Sequence, residues 1–340
     1  MLPDSRRLLT VLALFLAPWS NRCLADPIDT LAVTDEIRGK DGAFGLASID
    51  AARRILYVAR EDGVMRIDLA TRQTTPAFIP GDKVQGVVSL PDDRILSTNS
   101  GNDTITLANA RTGAVLTTLP AGKHPQAIIH DPASGLVFVT NEEDGTVTAI
   151  DPVALTVSSI PVGGTLRSAA IDGTGYLYVA IKDAGQIAVV DIARRKLVSR
   201  YPLPGCDSPA GLAFDPENRM LLVACKNQKA VAVRAADGGI IGAFEIDRVP
   251  NAVIFDPNRR IFFIPCARDA TMTAIASNDG HPALLRKIPT AIGARTGALD
   301  PVSGDLYLPA ADYSIGLTGI SQKAGTFRVL VVGARPVERP

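Results

Sequence analysis

The chain repeats itself at a nearly fixed interval, and that interval restricts its fold more than any other feature. Short apolar runs ending in Asp, Asp-Pro or Pro recur as Gly45–Asp50, Val87–Pro91, Ala127–Asp131, Ser168–Asp172, Gly211–Asp215, Ala252–Asp256 and Gly297–Asp300. Their last residues are 41, 40, 41, 43, 41 and 44 positions apart. Such self-similarity marks a supersecondary unit that cannot bury its apolar face alone and must stack against copies of itself.

Each run leads through a tight turn rich in Asp, Pro, Gly and Arg into a second apolar run, such as Ile55–Ala59, Leu136–Val139, Leu177–Ala180 or Met220–Ala224. A polar turn and an alternating segment follow, as in Thr146–Ile150 and Gln186–Val190. A shorter strand ending in Pro or Gly closes the unit. Four antiparallel strands per repeat, without helical periodicity, predict an all-β fold: a seven-bladed β-propeller of four-stranded blades. The seventh unit has two early strands (296–300 and 305–308) and a late one (327–332), so it lacks a fourth. The unassigned segment Leu31–Ile37 is expected to supply it, closing the ring and removing an exposed sheet edge.

The first 25 residues differ from the rest. Arg6-Arg7 precedes the apolar run Leu8–Ala17, and Cys23-Leu24-Ala25 offers small residues where a signal peptidase reads. This predicts a Sec-type signal peptide over residues 1–25, cleaved after Ala25, and one propeller domain over 26–340 in the periplasm or outside the cell. Of 35 basic and 35 acidic residues, removal of three Arg and one Asp leaves 32 and 34, a net charge of −2. No global field draws such a chain to nucleic acid, and no mature segment reaches the ~20 apolar residues of a transmembrane helix. The mature chain keeps Cys206, Cys225 and Cys266. Cys225 and Cys266 occupy equivalent ends of the second strand in adjacent blades, points that tend to be farther apart than a disulfide allows, whereas Cys206 lies in a loop that can fold over its own blade. The expected pair is Cys206 with Cys225, leaving Cys266 free. A reduced trio acting as a thiol or metal site is the alternative.

Phe138-Val139-Thr140-Asn141, then Asp144-Gly145-Thr146-Val147 and Ile150-Asp151, resembles the YVTN (YncE-like) β-propeller repeat of bacterial secreted proteins. Tyr57-Val58-Ala59 and Tyr178-Val179-Ala180 are weaker copies, and Ser97-Thr98-Asn99 keeps the Thr-Asn. The resemblance spans roughly residues 31–333 and implies a WD40-like binding scaffold in the cell envelope, without shared catalytic residues.

In such a ring, loops leading into the first strand and loops joining the second to the third share one face, around the channel mouth. They carry Lys83, His124, Arg167, Arg248 and Arg295 from the first set and Arg60, Lys182, Lys226 and Arg268 from the second, interspersed with Glu61, Asp62, Glu142, Glu143, Asp183 and Asp269. Arg offers a planar fork suited to carboxylate or phosphate. The expected ligand-binding residues are therefore Arg167, Arg248, Arg295, His124, Arg60 and Lys83, and the bland alternative is solvated loop charge. His130 falls where other repeats place Ile49, Leu90, Ile171, Phe214, Phe255 and Leu299, which predicts a core histidine. His281 lies beside Gly280 and Pro282 in a turn and is expected to be solvated.

No zinc, haem-attachment, serine-hydrolase or phosphate-loop motif occurs, and neither a cofactor nor a resident metal is expected. These observations predict a monomeric, non-enzymatic envelope protein that binds a small anionic ligand or a protein partner at the mouth. The alternatives are a propeller hydrolase such as a lactonase, with His124 and Glu142 as its acid–base pair, and nucleic-acid binding through the cationic ring.

Overall fold

The computed structural model describes residues 28–316 and 319–335. The expected signal peptide and its cleavage point lie outside them. Among the described residues are seven four-stranded antiparallel sheets and one two-stranded hairpin. Blade 1 consists of strand a (Phe44–Asp50), b (Ile55–Arg60), c (Gly63–Asp68) and d (Thr74–Pro80). Five more blades repeat this meander, spanning residues 84–120, 125–161, 166–202, 209–245 and 254–289. In the seventh sheet the order from the outside is Leu31–Arg38, Arg328–Ala334, Leu306–Ala310 and Ala298–Leu299. The N-terminal strand runs antiparallel to the last one, pairing Leu31 with Ala334 and Arg38 with Arg328. No helix among the described residues is long and apolar enough to cross a membrane.

Burial explains the sequence pattern. Strand b of blade 1 is buried at every position, as are Met220–Cys225 and Leu306–Ala310, because both faces pack against neighbouring blades. Such strands read as continuous apolar runs rather than as alternation. Outer strands such as Val115–Pro120 are largely exposed. The core is thus a set of layers between blades: Tyr178 and Val189 of the fourth pack with Phe214, Leu221 and Val223 of the fifth. Strands a converge on the axis, and Gly45 and Gly211 permit it. A Cβ at Gly45 would lie 2.5 Å from the Gln85 carbonyl oxygen, and one at Gly211 would lie 2.6 Å from the Ala252 backbone.

The recurrent Asp at the end of strand a is a buried carboxylate satisfied by its own turn. Asp131 accepts from the Ala133 and Ser134 amides, and Asp256 from those of Asn258 and Arg259. Two of these carboxylates also join blades: Arg54 reaches back to Asp300, and Arg219 to Asp172. The Thr-Asn of the repeat is equally structural. Thr140 donates to the Arg167 carbonyl of the next blade at 2.7 Å, and Thr98 donates to that of Gln126 at 3.1 Å. Asn141 is fully buried, and its amide donates to the hydroxyls of Thr146 and Thr148.

Candidate anion site at the channel mouth

Backbone hydrogen bonds bring together the two loop sets expected to share a face. The Glu142 amide donates to the His124 carbonyl at 3.0 Å, that of Lys182 to Thr165 at 2.8 Å, and that of Lys226 to Asp207 at 2.9 Å. Lys83, His124, Ser208 and Val249 each stand immediately before strand a or its equivalent with φ of 51°, 55°, 51° and 62°. This recurrent left-handed corner turns the chain into the channel.

Between the loops lies a cavity of about 370 Å³. Gln85, Gln126, Arg167 and Ala210 line it from the second position of successive strands a, Asn251 from the matching place after Pro250 and ahead of the blade 6 strand, and His124, Glu142, Lys226 and Arg295 complete its polar wall. A cleft of about 260 Å³ adjoins it, reached past His124 and Arg295 and bounded by Lys83. The larger volume suits a small molecule.

Arg167 is the best-positioned charge. Thr140 holds its carbonyl, one terminal nitrogen donates to both carboxylate oxygens of Glu142 at 2.9 Å, and the other reaches the Asn251 side-chain oxygen at 3.3 Å. Glu142 also lies 3.3 Å from His124 Nδ1 and 3.7 Å from Lys182 Nζ. One half-buried carboxylate therefore faces two cations and an imidazole.

Among the described residues, Arg295 and Lys226 have only backbone oxygens for acceptors. Arg295 donates to the Phe44 carbonyl at 2.9 Å and stacks 4.9 Å from the Phe44 ring centroid. Lys226 donates from Nζ to the Pro250 carbonyl at 2.7 Å. Neither forms an ion pair among the described residues. Lys226 is exposed at the open mouth as a whole residue, and its Nζ is part-buried where it meets the Pro250 carbonyl. That burial, with the positive charges of Arg167, Arg295 and Lys182, brings its pKa down to about 8.

Two expected ligands are placed elsewhere. Arg60 is only 3% exposed; it donates to the carbonyls of Lys40, Gly42 and Ala43 and lies over the Phe327 ring at 3.7 Å. Its Nε and Nη2 pin the loop before blade 1, and its Nη1 faces the Met65 sulfur at 4.0 Å. Arg248 is exposed and does not line the cavity; it is bound to Asp269, whose carboxyl the Arg248 guanidinium and amide hold down at about 2. His130 is corrected as well. It is half-buried in the lower channel beside Ile129 and Ser89, because strand a lines the axis and is not enclosed between blades. Desolvation lowers its pKa despite Asp131 and Asp92. His281 is exposed.

Cys206 and Cys225 form a disulfide with Cα atoms 5.4 Å apart, which ties the loop carrying Asp207 to strand b of its blade. Cys266 is a free, fully buried thiol pushed up to about 12 by desolvation. Lys226 directly follows Cys225, so the disulfide borders the cavity wall. No group of three or more His, Cys, Asp or Glu among the described residues could hold a metal ion.

Lys226 lies in a loop expected at the mouth without being one of the expected ligands, and Gln85, Gln126 and Asn251 join the wall unexpectedly. The usable signal was register: these three, with Arg167, follow the first residue of strand a, or the Pro250 that stands in its place.

Fold and site together define a seven-bladed, WD40-like β-propeller with a polar mouth. Solved structures share that architecture. A chain of the mitotic checkpoint complex aligns over 96% of this chain and 99% of its own with a TM-score of 0.74 and 13% identity. The WD40 repeats of RRP9 align over 90% and 99% at 0.75 and 12%. A chain of Kuenenia stuttgartiensis hydrazine synthase aligns over 86% and 98% at 0.70 and 13%. No protein-family model and no curated protein matches the sequence. At these identities the likeness shows the fold alone.

Proposed function

We propose that this protein is a non-enzymatic β-propeller of the cell envelope, related to the YVTN-repeat proteins, that binds a small anionic ligand at its channel mouth. The observation that carries the reading is a charge imbalance. Glu142 is engaged by Arg167, while Arg295 and Lys226 face the same cavity without a carboxylate partner among the described residues. Cations held by backbone carbonyls at an open mouth retain free donors and a field that a carboxylate or phosphate would neutralise. An envelope location is supported by the signal-like N-terminus and by the disulfide, since structural disulfides persist in oxidising compartments. Calorimetric titration with phosphate, citrate and short carboxylates tests the binding claim. At least one should bind to the native protein with an affinity that falls with salt and drops on Arg295→Ala. Equal heats for both proteins across the panel would overturn it.

One observation favours a second reading, a lactone hydrolase. His124 Nδ1 lies 3.3 Å from Glu142 inside the cavity, so the imidazole could take a proton from water while an adjacent guanidinium receives the developing oxyanion. Hydrolysis of a lactone panel that is lost on His124→Ala would select this reading over simple binding.

A further inference from the structure

Lys226 brings an amine to the wall of this cavity, whereas the guanidinium groups of Arg167 and Arg295 stay protonated and cannot act as nucleophiles. Its chain position is fixed at both ends. The backbone follows the disulfide-bonded Cys225 at the end of a fully buried strand, and the Nζ is drawn toward the Pro250 carbonyl across the blade boundary. The groups around it are Arg167 from strand a of blade 4, Lys182 from the adjoining loop and Arg295 from the loop before blade 7. Beyond them stand Glu142 and His124 of blade 3 and the buried Cys266 thiol of blade 6. The cationic groups favour loss of its proton, and Glu142 is already engaged by Arg167.

We propose that Lys226 captures the carbonyl group of a small 2-oxo acid whose carboxylate is held by Arg167 and Arg295. The inference rests on the anion-site reading and names the class of ligand that the site takes. In the reaction the neutral amine attacks the carbonyl carbon, forming the C–N bond, and the carbonyl oxygen takes up a proton to give a carbinolamine. Loss of that oxygen as water leaves a protonated imine on Lys226. The overall change is amine plus 2-oxo acid plus one proton giving iminium plus water, with no oxidant or metal required. The guanidinium groups fix the carboxylate, and the positive charge removed when the amine deprotonates is restored only when the adduct has formed. An amine that titrates at about 8 is partly neutral near neutral pH, whereas an ordinary lysine near 10.4 is almost wholly protonated.

The test uses the full mature protein with pyruvate as probe and cyanoborohydride as the trapping reductant, read by intact mass and peptide mapping. The expected result is one reduced pyruvate adduct on Lys226, formed at a rate that rises with pH through about 8, absent from Lys226→Arg and slowed at least tenfold by Arg167→Ala. Lys226→Arg keeps the charge, and an unchanged melting temperature shows that it is folded. Lactate, which has the carboxylate but no carbonyl, separates the two claims by calorimetry. If lactate binds while pyruvate labels Lys226 no faster than surface lysines, the amine proposal falls and the anion site stands. If neither acid binds nor labels, both fall.

Discussion

Replacing Glu142 with Gln should loosen the apo protein and tighten its hold on anions. The side chain is 13% exposed and accepts two 2.9 Å hydrogen bonds from Arg167, with His124 and Lys182 close by. Gln keeps the shape and one acceptor oxygen but removes the charge. One charge-assisted bond in a partly wet site is worth about 1–2 kcal/mol. For a domain of this size that lowers Tm by roughly 2–4 °C. The effect on a ligand has the opposite sign. An anion about 6 Å from the carboxylate, at an effective dielectric of about 40, is repelled by about 1.4 kcal/mol. Removing that repulsion should tighten a singly charged anion about tenfold and a doubly charged one more. Thermal-shift titrations with phosphate measure both effects. The Glu142→Gln protein should melt lower without phosphate, gain more per tenfold phosphate at low concentration, and lose its advantage as sodium chloride screens the site. If its phosphate affinity equals or falls below that of the native protein, Glu142 does not compete for the cations as reasoned.

Two further predictions concern the ring itself. Deleting Leu31–Arg38 removes the buried side chains of Leu31 and Ile37, worth about 2 kcal/mol each, and bares the edge of strand Arg328–Ala334. The whole domain should melt many degrees lower by calorimetry, and an unchanged Tm would refute a structural role for that strand. Asp300 is fully buried; burial pushes its pKa up, but hydrogen bonds from Arg54, Ser303 and the Val302 amide outweigh it and hold the carboxyl below its usual range. Its stabilisation is therefore complete above the unfolded value of about 4 and is lost as pH falls through the depressed folded value. Asp300→Ala should cost about 3 kcal/mol at neutral pH, and its deficit should shrink as pH falls below about 4. Native and variant Tm curves that stay parallel down to pH 3 would contradict this.

The blade meander was legible in the sequence because strand b is enclosed on both faces and strand d on one, so each position carries a hydropathy signature. The partner of the N-terminal strand was legible too, since a missing fourth strand and an unassigned β-like segment at opposite ends leave one arrangement without a bare edge. Cys206 and Cys225 could be paired from loop geometry. The hairpin formed by Tyr313–Gly316 and Gly319–Gln322 was not legible. It is inserted between the second and third strands of the last blade, where the repeat gives no template. Its base is fastened by Asp41, which accepts from the Phe327 amide at 3.1 Å and the Gln322 side chain at 3.3 Å.

The mouth divides along the same line. Repeat register was enough to put Arg167, Arg295, His124 and Lys83 on one face, because a loop's place in the blade is a local property. Which cations remain available there is decided by neighbours far away in sequence. Arg60 is spent on carbonyls about 20 residues back and on Phe327, and Arg248 on Asp269. Lys226 gains its character from burial first and then from the charges of Arg167 and Arg295, groups brought to it only when the ring closes. Period and hydropathy report how each strand is solvated, which every repeat encodes for itself. Charge compensation depends on distances across the channel, and only the closed ring of blades sets those.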